Sequence, residues 1–183
     1  MQRMSFFIAA VVAIAATGFA AERNGRLEFG LQKAAVAIPP SLETEHHEIH
    51  EALLAATKVA GPVGAAATEL AAVLGPHFER ENEIALPPLG LLAALAAGEK
   101  PAGMEQALAM SNALRKEMPR MLREHAQIRV LTEKLRVVSQ DAKNPVSARF
   151  AENLAAHAQM EEEVLYPAAI LVGDVIQARL SQK

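Results

Sequence analysis

Apolar residues along this chain recur at the three-to-four spacing of helices, and pairs of proline and glycine cut the pattern into segments. Leu42, His46, Ile49, His50, Leu53 and Ala56 make one stripe after Pro39-Pro40. Ser41 is the expected N-cap, and Glu43 lies in the first turn, where a carboxylate suits the helix dipole. Gly61-Pro62 stops this first helix. Leu70, Val73, Leu74, His77, Glu81 and Ile84 form the stripe of a second, which should bend or break near Gly75-Pro76 and end by Pro87-Pro88. Leu89 to Ala97 reads as a short capping helix, followed by turn chemistry over 98–103. A third helix keeps Leu114, Met118, Met121, Leu122, His125, Ile128 and Leu135 in phase, although Pro119 should kink it or displace its start. Asn144-Pro145 reads as N-cap and first residue of a fourth, carrying Phe150, Leu154, His157, Glu161 and Val164 to Pro167 and on through Ile170. From Gly173 the chain reads as a peripheral tail.

Four amphipathic helices with short connections predict an all-α, up-down-up-down bundle, because short loops make neighbouring helices antiparallel. Composition agrees: 183 residues suffice for one ordinary domain, and a 4% aromatic share with Ala-rich runs favours helices over strands. The chain divides into a signal peptide at 1–20, a leader at 21–40, the bundle at 41–172 and a tail at 173–183. The signal reading rests on Arg3, the apolar run from Phe6 to Ala16, and small residues around Gly18 and Ala20. That run is short against the roughly 20 residues that span a bilayer, so export to a bacterial periplasm by the unfolded-chain route is expected, with no stable membrane insertion after cleavage. An uncleaved inner-membrane anchor is the alternative. A formal charge of -3 offers no cationic excess for a phosphate backbone, so nucleic acid is not an expected partner. Zero cysteines exclude disulfides, thiolate metal sites and cysteine nucleophiles, leaving His and carboxylate for any metal.

The histidines sharpen the picture. His46, His77, His125 and His157 each sit near the middle of an apolar stripe, one per helix, while His50 stays close to the core line and His47 falls about 100° round. The chain also contains itself twice. Glu45-His46-His47-Glu48-Ile49 is echoed by Glu124-His125-Ala126-Gln127-Ile128, and 125 − 46 = 79. His77-x-x-x-Glu81 with Pro87 is echoed by His157-x-x-x-Glu161 with Pro167, and 157 − 77 = 80. A helical-hairpin duplication of this kind would bring two equivalent half-sites together at the bundle centre. Buried imidazoles and carboxylates are costly unless paired or metal-bound, and a His and carboxylate set of this size suits iron, manganese or zinc. The pattern is unlike the carboxylate-rich Glu-x-x-His site of ferritin-like bundles and unlike the zincin motif.

At these residues the chain resembles the hemerythrin-like family of HHE cation-binding domains, over residues 41 to about 172. The likeness lies in Glu45-His46-x-x-Ile49, His77-Phe78-x-x-Glu81, Glu124-His125-x-x-Ile128 and His157-x-x-x-Glu161-Glu162-x-x-Leu165-Tyr166-Pro167, all in the family's order. The resemblance implies a four-helix bundle around two non-haem irons bridged by oxo or hydroxo, with manganese or zinc as substitutes. His46, His77, His125 and His157 would be ligands, and Glu81 and Glu161 bridges. Two departures leave alternatives open. Oxygen-carrying hemerythrins have His-x-x-x-His on the third helix, where this chain has Met121, and their last carboxylate falls at the place of Glu162. Either His50 supplies the missing imidazole from the first helix, or the site has four His and two Glu with an additional open position. The latter resembles the family's nitric-oxide-responsive and iron-repair branch.

The expected function is binding of dioxygen, nitric oxide or peroxide, or handling of iron, in a pocket lined by Ile49, Leu74, Ile84, Ile128 and Val164. A di-iron redox enzyme that reduces nitric oxide or decomposes peroxide ranks behind it, and a metal-free structural bundle third. The partner is a small ligand, and the sequence leaves the oligomeric state open.

Overall fold

A computed structural model describes residues 36–182. The expected signal peptide at 1–20, and the leader up to residue 35, lie outside the described residues. The described chain is helical from Pro40 onward: α1 (Pro40–Thr57), α2 (Pro62–Ile84), a 3-10 turn (Pro87–Leu91), α3 (Leu92–Ala96), α4 (Met104–Asp141), α5 (Pro145–Met160), a π turn (Glu161–Leu165) and α6 (Tyr166–Ser181). Helices α1, α2, α4 and α5 form the bundle as a closed ring, α1 packing on α2, α2 on α4, α4 on α5 and α5 on α1.

Proline sets several of these boundaries. Pro40 and Pro62 stand at the first helical positions of α1 and α2, where a missing N–H costs nothing and the fixed φ is already helical. Helix α1 therefore begins one residue before the expected Ser41, with the Pro39 carbonyl accepting from the Leu42 and Glu43 N–H groups. Helix α1 ends at Thr57 with Lys58 as its C-cap, short of the expected stop at Gly61, which at φ 80° is the N-cap of α2 instead. Asn144 caps α5 as expected, its side chain accepting from the Ser147 N–H at 3.1 Å. Neither interior proline breaks its helix. Pro76 and Pro119 are both exposed, so the carbonyls they leave without a helical partner can be solvated. Pro119 is also the counterpart of Pro40 under the duplication, 119 − 40 = 79, so α4 is the repeated helix with a long N-terminal extension.

The core has three apolar layers along the bundle axis. Ile49, Leu53, Leu70, Leu74, Ile128, Leu135 and Leu154 form one; Ile84, Leu86, Leu89, Leu114, Met121 and Tyr166 form a second. The third joins Val36, Leu95, Ala107, Val172 and Ile176. The end of the leader is thus bound to the bundle. So is the tail: the chain from Gly173, expected to be peripheral, continues α6 to Ser181 with Gly173 and Ile176 buried. Its apolar stripe is covered by the extended α4 together with Leu95 and Val36.

At Gly173, α6 packs tightly against α4. A Cβ added there would lie 2.5 Å from the Ser111 Cβ, and the Ser111 hydroxyl donates to the Ala169 carbonyl at 2.7 Å on the same face. Gly173→Val should therefore destabilise by about 1–3 kcal/mol, the usual cost of overpacking, despite its better helix propensity. Thermal melting of the variant checks it. An unchanged Tm would mean that α6 beyond Gly173 does not contribute to the fold.

Candidate metal centre

Helix periodicity carries one histidine from each bundle helix into the space between the first two apolar layers. His46, His77, His125 and His157 are all buried, as are Glu81 and Glu161. The six side chains form two triads, His46 with His157 and Glu161, and His77 with His125 and Glu81.

The carboxylates tie the triads together. Glu81 Oε1 lies 3.2 Å from His77 Nε2 and 3.7 Å from His125 Nε2, while its Oε2 faces His46 Nε2 at 3.9 Å. Glu161 Oε1 lies 2.9 Å from His157 Nε2 and 3.3 Å from His46 Nε2, while its Oε2 faces His125 Nε2 at 3.5 Å. Each carboxylate therefore offers one oxygen to its own triad and the other to the opposite one. Among the described residues Glu81 Oε2 is buried without a hydrogen-bond partner, and the 2.9 Å approach of His157 Nε2 to Glu161 Oε1 lacks hydrogen-bond alignment. Such groups are expensive to leave unsatisfied, and a cation between them would remove the cost. The residues fit a metal.

The outward nitrogens are held too. His77 Nδ1 donates to Glu124 at 2.9 Å, His125 Nδ1 to Glu162 at 2.9 Å and His157 Nδ1 to Glu45 at 3.1 Å. Arg120 and Arg129 donate in turn to Glu124 and Glu162. A carboxylate at Nδ1 fixes the tautomer that leaves Nε2 free for a metal and makes that nitrogen a stronger donor. The place of these carboxylates on the outer imidazole edges does not follow from helical phase alone, and Glu162, weighed as a bridge, is one of them. The signal was there: Glu45-His46 and Glu124-His125 repeat the same pair, and each Glu reaches the histidine of the next helix rather than its own neighbour.

Tyr166, the only tyrosine, also joins the site. Its hydroxyl donates to Glu81 Oε1 and lies 3.0 Å from His125 Nε2 and 3.4 Å from His77 Nε2. The π turn explains why α-helical phase misses it. One extra residue in that turn carries Tyr166 inward and leaves Val164, expected to line the pocket, 53% exposed. The Tyr166 N–H bonds the Glu161 carbonyl, five residues back, just as the Leu86 N–H bonds the Glu81 carbonyl. The duplication therefore extends to backbone detail.

His50 does not join the centre. It is exposed on α1, because the buried stripe runs His46, Ile49, Leu53, Ala56 and leaves position 50 on the flank. Met121, four before His125, is buried in apolar surroundings. Of the two candidate bridges, Glu161 lies inside the centre and Glu162 outside it, on His125 Nδ1.

The profile of the hemerythrin HHE cation binding domain matches residues 40–169. The chain belongs to this family. No curated protein and no solved structure gives a match. The HHE domain here thus combines a metal-binding His and Glu core with a bundle closed on all four sides.

Without metal, protons balance the buried carboxylates. Burial alone would lower the His157 pKa, but the carboxylates of Glu161 and Glu45 outweigh it and raise it to about 9. His77 is raised in the same way against burial, by Glu81 and Glu124. Burial alone would raise the Glu81 pKa, but the His125 and His77 imidazoles beside it and the hydrogen bond from Tyr166 outweigh burial and hold it well below the ordinary carboxylate range. A His pKa raised on folding adds stability that is complete below its unfolded value near 6.5 and is lost as pH rises through the folded value. The Tm of the metal-free HHE domain should therefore fall between about pH 6.5 and 9. Metal holds the imidazoles neutral, so the metal-loaded form should show little of this slope. Melting curves across that window check both, and a metal-free Tm that stays flat or rises would remove the protonated His157 from the account.

Proposed function

We propose that the bundle core binds two irons and that this centre takes up nitric oxide or peroxide, or holds iron for release, ahead of reversible dioxygen carriage. The placement of Glu81 and Glu161 carries the reading: each turns one oxygen to each imidazole pair, as a carboxylate shared by two ions must. One ion would be held by His46 and His157, the other by His77 and His125, with both carboxylates between them. An imidazole-rich set with carboxylates suits iron. With His50 on the surface and Met121 in place of a third-helix imidazole, four imidazoles reach the core, and open positions remain for an added ligand.

Iron bound here would supply Lewis acidity and one-electron redox chemistry towards a small ligand. The remaining work falls to the chain. Apolar layers on either side keep bulk water out, which strengthens every electrostatic interaction within. Tyr166 presents a hydroxyl whose pKa is pushed far up, first by burial and then by the Glu81 charge, so it stays a proton donor at that oxygen. We read the protein as a binder rather than a catalyst, since redox turnover would also need an electron donor. Arg3 and the apolar run after it support export to the periplasm, where iron would be acquired after translocation.

Anaerobic ferrous loading followed by elemental analysis should give two irons per chain, and one or none would defeat the reading. Loading should raise Tm by several degrees, since a ligand at a hundredfold excess over its Kd adds about 2.7 kcal/mol when it binds only the folded chain. His50→Ala should keep both irons, and His125→Ala should lose at least one.

A further inference from the structure

The two halves of the centre are not equally supported. At His77, His125 and His157 the outward nitrogen has a carboxylate acceptor. At His46 it has none among the described residues: Nε2 faces Glu161, and Nδ1, at the other edge of the ring, is buried without a partner there. The duplication shows what is missing. Glu162, which holds His125, lies five residues after His157, and the residue five after His77 is Asn82. Asn82 is exposed and makes no hydrogen bond to His46, whose ring is instead stacked on Phe78 at 4.3 Å. Stacking fixes the plane of the imidazole but adds nothing to its basicity.

The surface repeats this asymmetry. A groove of about 390 Å³ between α1 and α2 is lined by His46 and Asn82 together with Glu43, His47, His50 and Glu79. Among the described residues no Lys or Arg lines it, so Glu43 and Glu79 favour a divalent cation at its rim, and His47 and His50 offer passing ligands. On the opposite side, Arg120 and Arg129 sit on the carboxylates that hold His77 and His125. A second groove, between α1 and α5, reaches His157, but there the outward nitrogen is already bonded to Glu45.

We propose that the position framed by His46, His157 and Glu161 is the exchangeable one of the two, filled and emptied through the groove at His46, whereas the position framed by His77, Glu81 and His125 retains its ion. The inference rests on the two-metal reading above. It makes the outer histidines of α1 part of a path for the ion rather than ligands of the centre.

The test is removal of iron from the fully loaded ferrous protein by a chromogenic chelator under anaerobic conditions. The parent should release its two irons in two phases of equal amplitude, with rates about tenfold or more apart, the effect expected of a missing acceptor at a ligating imidazole. Asn82→Glu supplies that acceptor and should slow the fast phase by about tenfold, leaving the slow one in place. Asn82 is exposed, so the fold is not at stake. Glu162→Gln is the reciprocal variant and should speed the slow phase alone. Two irons leaving the parent at a single rate would overturn the inference while the two-metal reading stands. So would a fast phase that Asn82→Glu leaves unchanged, or that Glu162→Gln speeds instead of the slow one. Fewer than two irons in the loaded parent would overturn the two-metal reading itself.

Discussion

Two carboxylates buried side by side with four imidazoles are the constraint around which this molecule is organised. Placed in a low-dielectric interior, such groups would repel, titrate or pull in water unless something positive sat among them. Protons do this in the metal-free chain, as the raised pKa values of His77 and His157 show. A pair of cations would do it with directed bonds to the same atoms. In both states the cost of burial is offset only if all four helices are in place, because each contributes one imidazole. Site assembly and bundle assembly are therefore one event.

The rest of the structure keeps that arrangement from relaxing. Apolar layers above and below prevent the helices from sliding apart to solvate the carboxylates. Glu45, Glu124 and Glu162 link three of the four neighbouring helix pairs through an imidazole edge: α1 to α5, α4 to α2, and the π turn after α5 to α4. These carboxylates are partly exposed and screened. Their value lies less in Coulomb energy than in fixing which nitrogen points inward. The i+5 bonds after Glu81 and Glu161 act on the same geometry, turning Leu86 and Tyr166 into the core.

Much of this was legible in the sequence because the informative spacing was helical and repeated. Offsets of 79 and 80 residues single out four histidines and two glutamates, and all six converge in the bundle core. What was not legible depended on departures from ideal α-helical phase or on neighbours from other helices. His50 has the right spacing from His46 but lies on the flank of a stripe that follows a three-then-four rhythm. Val164 and Tyr166 exchange roles because one extra residue enters a turn, which no fixed angle per residue anticipates. The burial of Gly173 follows from the extension of α4 before Pro119, where Ser111 lies, a tertiary fact. The carboxylates on the outer imidazole edges were visible as repeated Glu-His pairs, yet their partners could be assigned only with helices packed side by side.

The duplication also explains how a nearly twofold centre can hold two unlike positions. Between the halves the ligating residues repeat, while the residues around them do not: Tyr166 answers Leu86, Glu162 answers Asn82, and Ala158 answers Phe78. Each difference acts on one triad only. The phenol adds a donor beside His77, Glu81 and His125, Glu162 adds an acceptor to that same triad, and Phe78 lies against His46 in the other. All the polar additions thus fall on one side, and the other side is left with an aromatic face and a groove. Two ions in such a centre would share both carboxylates yet differ in donor strength and in access to solvent. That is the condition under which one ion can be exchanged, or an added ligand bound at it, without dismantling the bundle that the other ion secures.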